Sequence, residues 1–84
     1  MYLEKRINYA KELVKMCNNL IAKNEARLAE VQAQLANHQT WTSDLAKEEI
    51  YFTEIELPRL RNELVRNENE LAKAENKWAE LTQG

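Results

Sequence analysis

The chain has 84 residues, a formal net charge of −2, 44% hydrophobic and 31% charged residues, which suits one small domain over residues 1–84. It contains one Gly and one Pro, too few for the tight turns of most α/β and all-β folds or for glycine-rich phosphate loops. Its acidic balance, with Lys and Arg scattered between Glu residues, argues against a dedicated nucleic-acid surface.

Signals for secretion or membrane insertion are not expected in this sequence. A single Cys cannot form an intramolecular disulfide, and no N-terminal stretch joins a basic segment to an apolar one. No apolar run approaches the roughly 18 residues that cross a bilayer. We therefore predict a cytoplasmic protein without a membrane partner.

Two long helices separated by one turn are predicted. Residues 3–38 are rich in good helix formers and contain neither Gly nor Pro, which predicts the first helix. Residues 39–43 compete with helical hydrogen bonding and predict the turn, with Thr42 or Ser43 as the N-cap. The second helix is predicted over 44–82, with a kink near Pro58 because proline cannot donate to the Glu54 carbonyl.

Both helices carry a seven-residue repeat, which predicts one continuous seam between them. The first-helix rows are Ile7, Val14, Ile21, Leu28 and Leu35, with Leu3, Ala10, Cys17, Asn24, Val31 and His38. The second-helix rows are Ser43, Ile50, Leu57, Leu64, Leu71 and Trp78, with Ala46, Thr53, Leu60, Asn67, Ala74 and Leu81. We predict an all-α fold, an antiparallel two-helix coiled-coil hairpin in which facing residue numbers add to 81.

Charged residues beside the seam agree with this register. It brings together three favourable pairs, Lys11 with Glu75, Glu25 with Arg61 and Arg27 with Glu56, and one unfavourable pair, Arg6 with Lys77. Exposed ion pairs contribute only about 0.2 to 1 kcal/mol each, so they support the register more than the stability.

Further apolar residues lie outside the seam of the first helix. They widen its apolar face, as in a helix that packs against two neighbours. We predict a homodimer that forms a four-helix bundle, and the predicted dimer interface consists of Tyr9, Leu13, Met16 and Leu20. Alternatively, a bend in the hairpin covers these side chains, or they are ordinary surface residues.

Polar residues also occupy the seam. Asn24 and Asn67 lie at core positions, where amides often fix register or oligomeric state. They do not face each other in the predicted hairpin, so we predict that they form a hydrogen bond between subunits.

A second group of residues is predicted to bind a protein partner. Trp41 lies at the tip of the hairpin, and tryptophan is over-represented among residues that dominate binding energy. Tyr51, Phe52 and Ile55 form an apolar cluster outside the seam of the second helix.

Residues for catalysis or metal binding are sparse. Cys17 and His38 are the only Cys and His, and they are too far apart on one helix to share a metal or act as nucleophile and base. We therefore predict no enzymatic activity, no catalytic residues, no metal or other cofactor, and no small-molecule substrate.

The predicted function is that of a protein-interaction module: a small helical dimer that acts as an adaptor, regulator or inhibitor by binding a larger protein. One alternative is a structural assembly element with no external partner. Another is RNA binding of the kind performed by Rop-like helical dimers, through the row Arg59, Arg66 and Lys73; this rests on shape alone. Glu63 and Glu70 follow the two arginines by four residues, which favours an ion-paired surface instead.

Overall fold

The computed structural model describes residues 2–83 as an antiparallel helical hairpin. Helix α1 spans Tyr2–Leu35, α2 spans Ser43–Tyr51, a π-helical segment spans Phe52–Glu56, and α3 spans Leu57–Gln83. The hairpin measures 66 × 16 × 16 Å. Met1 and Gly84, which the predicted domain includes, lie outside the described residues. Within residues 2–83, no helix has an apolar stretch long enough to cross a membrane.

The connection between α1 and α2 is longer than predicted. Helix α1 ends at Leu35, three residues before the predicted His38. Residues 36–42 form a turn in which the Thr40 hydroxyl donates to the Gln34 carbonyl at 2.7 Å and the Trp41 N–H donates to the Asn37 carbonyl at 3.0 Å. These bonds satisfy carbonyls at the helix end, so the chain leaves the helix early.

Helix α2 begins where the sequence indicates. Thr42 is its N-cap, and the Thr42 side-chain oxygen accepts a hydrogen bond from the Leu45 N–H at 3.1 Å. Asp44 lies in the first turn, where its negative charge interacts favourably with the helix dipole and stabilises the helix. Thr42 is therefore one of the two predicted caps, and Ser43 becomes the first helical residue.

The π-helical segment ends at Glu56, two residues before Pro58, where the sequence predicts a kink. The Leu57 N–H donates to the Phe52 carbonyl, five residues back. Pro58 has no N–H to offer the Glu54 carbonyl, so the ordinary ladder cannot continue there. A single π turn adds one residue to a helix and rotates everything before it relative to everything after it.

This added residue changes which side of α2 faces α1. The heptad rows place Ile50 and Thr53 in the seam, but Ile50 is 52% exposed and Thr53 is exposed as well. Glu49 and Phe52, each one residue earlier, are half-buried instead. The predicted unbroken repeat is therefore wrong for α2, because the π turn shifts the seam by one position.

In α3 the heptad rows coincide with the half-buried and buried face from Leu57 to Trp78. Leu81, which the heptad rows also place in the seam, is instead 62% exposed, because facing numbers that add to 81 leave it without a residue of α1 opposite. Leu57, Leu60 and Ala74 are buried, and they pack with Ala10, Cys17 and Val31 of α1 in a narrow core. The Glu25–Arg61 ion pair forms at 3.2 Å, as the antiparallel register predicts. Arg27 bonds instead to Glu48 at 2.8 Å, because the π segment points Glu56 elsewhere.

Candidate protein-interaction surfaces

A row of exposed apolar side chains runs along α1. We call it the α1 stripe, and it consists of Tyr2, Tyr9, Leu13, Met16 and Leu20. Tyr9 is 66% exposed and Met16 is 55% exposed, whereas Leu13 is half-buried. At 1.5 Å per residue the stripe is about 27 Å long, and helical geometry turns it about a quarter-turn away from the seam. The α1 stripe therefore lies beside the seam, on the face where a further helix could pack against α1.

The structure brings the four predicted dimer residues, Tyr9, Leu13, Met16 and Leu20, onto this single face. Tyr9 and Leu13 line a groove of about 180 Å³ between α1 and α3, closed on the far side by Asn67 and Glu70. A wider open depression of about 400 Å³ follows along α1 beside Met16 and Leu20. The stripe therefore has surface relief along which another side chain can pack.

Charged residues form the border of the α1 stripe on the α3 side. Arg6 Nη2 lies 3.4 Å from Glu70 Oε2, and Lys73 Nζ lies 3.6 Å from Glu70 Oε1. These side chains are exposed, so each pair contributes little to stability. Their effect is to give the apolar stripe a polar rim, which is typical of protein interfaces.

A second area, the Tyr51 patch, consists of Tyr51, Phe52 and Ile55. The Tyr51 and Phe52 rings meet edge to face with centroids 5.8 Å apart. Ile55 is 56% exposed, whereas Phe52 is half-buried. The patch therefore presents Tyr51 and Ile55 to solvent, with Phe52 as their support.

A polar network holds the Tyr51 patch in place. The Tyr51 hydroxyl donates to Glu56 Oε2 at 2.8 Å, Arg59 Nη2 donates to Glu56 Oε1 at 2.6 Å, and Arg59 Nη1 donates to Glu63 at 3.1 Å. The Tyr51 hydrogen bond and the Arg59 guanidinium lower the pKa of Glu56. The hydrogen bond to Glu56 also raises the pKa of Tyr51. Sequence periodicity does not show this network, because it depends on the π turn.

The Tyr51 patch and the α1 stripe lie on the same side of the hairpin. Arg27 follows Leu20 by seven residues and therefore shares its face of α1. Arg27 forms two hydrogen bonds with Glu48 of α2, at 2.8 and 3.2 Å, and Tyr51 is one turn beyond Glu48. This bidentate ion pair separates the two apolar areas.

Trp41 lies apart from the Tyr51 patch. It is 53% exposed in the turn, and α2 separates it from Tyr51 by about 12 Å of helix. The four residues predicted to bind a partner therefore form two areas, one at the tip and one on the side.

The two seam asparagines have partners within the chain. Asn67 Nδ2 donates to the buried Cys17 Sγ at 3.2 Å, and Asn24 Nδ2 donates to the Leu20 carbonyl at 2.8 Å. The predicted hydrogen bond between subunits is therefore not needed to satisfy these amides. Among residues 2–83, no three His, Cys, Asp or Glu side chains form a group that could hold a metal ion.

The basic row on α3 is largely ion-paired. Arg59 is bonded to Glu56 and Glu63, and Lys73 is paired with Glu70. Glu70 also pairs with Arg6, rather than with Arg66 as the spacing indicates. Carboxylates thus neutralise much of the charge that a phosphate backbone would need.

No family model matches the chain, and neither a curated protein nor a solved structure matches it. Its function must therefore be inferred from its own surface. That surface includes many apolar side chains: among residues 2–83, ten large hydrophobic side chains are exposed and six hydrophobic side chains are buried, while most of the other seam residues are half-buried.

Proposed function

We propose that the chain is a non-enzymatic protein-interaction module, a helical hairpin that dimerises through α1 and binds a larger protein through the Tyr51 patch. The excess of exposed over buried large apolar side chains carries this proposal. Contiguous exposed apolar areas with polar rims are typical of protein-binding surfaces. Removing these side chains from water on binding would favour a complex.

We propose that self-association occurs through α1. Two hairpins side by side place four helices together, and the wide apolar face of α1 is suited to a second helical neighbour. The seam within each hairpin has the heptad spacing of a coiled coil over α3. Dimerisation would cover the α1 stripe and leave the Tyr51 patch and Trp41 for another protein.

The second candidate function is a structural assembly element in which the dimer has no external partner. The α1 stripe favours the assembly element and the interaction module equally, because both functions include self-association. The Tyr51 patch separates the two, since an assembly element has no need for an exposed Tyr51 and Ile55 held in place by Glu56 and Arg59.

Partner binding can be tested with two matched isoleucines. Ile55 and Ile50 are exposed to similar extents, 56% and 52%, but they lie on different sides of the second helical arm. We expect affinity enrichment from cells of the source organism to recover the same protein with the wild type and with Ile50→Asp, and to lose it with Ile55→Asp. Trp41→Ala in the same assay tests the tip.

Recovery of the same proteins with all of these variants would contradict a role for the Tyr51 patch and for Trp41. Recovery of no specific protein with the wild type would favour the assembly element. Circular dichroism of each variant checks that the hairpin is intact before its binding is compared.

A further inference from the structure

We infer that the α1 stripe binds a second copy of this chain, with α1 of one copy packed antiparallel on α1 of the other. This inference rests on the proposed dimer and specifies its interface and register. It involves only α1, because the adjoining side of α3 carries Glu63, Glu70 and Lys73 rather than apolar residues.

The spacing of the α1 stripe is self-complementary. With Arg6 included, its positions alternate in steps of four and three residues, the ladder of a helix–helix seam. In an antiparallel pair whose facing numbers add to 22, Tyr9 faces Leu13 of the second copy, and Leu13 faces Tyr9. Tyr2 likewise faces Leu20, and Arg6 faces Met16. A two-fold dimer requires such matching of one surface with itself.

One charged contact disfavours the next register. A shift by one heptad, to facing numbers that add to 29, keeps apolar contacts but places Arg6 against Lys23 of the second copy. In the proposed register Lys23 lies beyond the end of the contact. The Arg6 guanidinium is paired with Glu70 at 3.4 Å, so its aliphatic stem is free to lie against Met16 of the second copy.

The whole hairpin exposes more surface than a compact chain of the same mass, which leaves area that a second copy could cover. The hairpin exposes 6368 Å², whereas a compact protein of 9.9 kDa exposes about 5,200 Å². The excess is about 1,200 Å², and a standard interface covers about 800 Å² per partner. A second copy on the α1 stripe would therefore return the exposed area per chain toward that of a compact protein.

The test uses charge complementation read out by sedimentation and light scattering over a hundredfold range of concentration. We expect the wild type to be a dimer. Tyr9→Lys alone and Leu13→Glu alone should each raise the dissociation constant of the dimer at least about a hundredfold, which is about tenfold for each of the two copies that carry the substitution. Mixing these two variants should restore a heterodimer, because the introduced lysine of one chain then faces the introduced glutamate of the other. Val65→Glu, on an exposed α3 position away from the stripe, should leave the dimer unchanged.

Mixing Tyr9→Lys with Leu20→Glu distinguishes the registers, because that pair faces only when the numbers add to 29. Rescue by Leu20→Glu instead of Leu13→Glu would overturn the register. If Leu13→Glu impairs folding by circular dichroism, mixing Tyr2→Lys with Leu20→Glu tests the same register at exposed positions.

The outcomes also separate this inference from the proposed function. A dimer that survives Tyr9→Lys and Leu20→Glu would overturn the α1 contact and leave dimerisation standing. A wild type that stays monomeric at every concentration would overturn both the contact and the dimer, while binding of another protein through the Tyr51 patch is decided separately by the Ile55→Asp comparison.

Discussion

The π-helical segment makes a prediction that differs from that of the uninterrupted heptad repeat. With the π turn, Phe52 is half-buried and Ile50 is 52% exposed. Without it, Ile50 would lie in the seam and Phe52 outside it. Comparing Phe52→Ala with Ile50→Ala therefore tests the phase of α2 directly.

The expected magnitudes follow from burial. Truncation of a fully buried Phe to Ala costs about 3 to 5 kcal/mol, so a half-buried Phe52 should cost about 2 kcal/mol. Loss of its edge-to-face contact with Tyr51 at 5.8 Å adds about 0.5 to 1 kcal/mol. Ile50→Ala should cost about 0.5 kcal/mol or less, because the higher helix propensity of Ala offsets part of the lost contact.

Urea denaturation followed by circular dichroism measures both changes. All proteins are compared at one concentration, because dimerisation would add to the apparent stability. If Ile50→Ala destabilised the hairpin more than Phe52→Ala, the heptad seam would have to run unbroken past Pro58. The position of the Tyr51 patch would then be wrong as well.

Two further predictions concern the cap of α2 and the Glu56 network. Thr42→Ala should lower the free energy of unfolding by about 1 kcal/mol because it removes the acceptor for the Leu45 N–H. Thr42→Ser keeps that oxygen, so it should retain most of the wild-type stability. An equal loss of stability in both variants would exclude a capping effect. The pKa of Glu56 is lower in the folded chain than its ordinary value of 4.5, so its stabilising contribution should be present above that pH and disappear as the pH falls through the lowered value. Denaturation midpoints measured between about pH 6 and pH 3 should fall less steeply for Glu56→Gln than for the wild type, and identical slopes would contradict this linkage.

The sequence was sufficient to predict the helical hairpin. The heptad rows of α3 and the Glu25–Arg61 pair depend on one uninterrupted repeat, which composition and spacing reveal directly. Thr42 was likewise predictable as one of two caps, because a polar residue before a run of helix formers has a local physical role.

The phase of α2 could not be predicted in this way. Pro58 indicates a disturbed hydrogen-bond ladder, but it does not show whether the helix bends or adds a residue. Arg27 therefore bonds to Glu48 rather than Glu56, and Phe52 rather than Thr53 is half-buried. The early end of α1 escaped prediction for a similar reason, because it depends on hydrogen bonds from Thr40 and Trp41 in the turn.

The uneven core of the hairpin links its folding to its association. The large side chains that are fully buried, Val31, Leu57 and Leu60, lie in the middle and in the half nearer the turn. In the other half the fully buried residues are the small Ala10 and Ala74, and the larger side chains around them, Leu3, Ile7, Leu71 and Trp78, are only half-buried. Local opening of a helical hairpin starts where fewer apolar side chains are fully buried. The α1 stripe lies on that same half. A second copy bound there would therefore stabilise the terminal half of each hairpin against local opening.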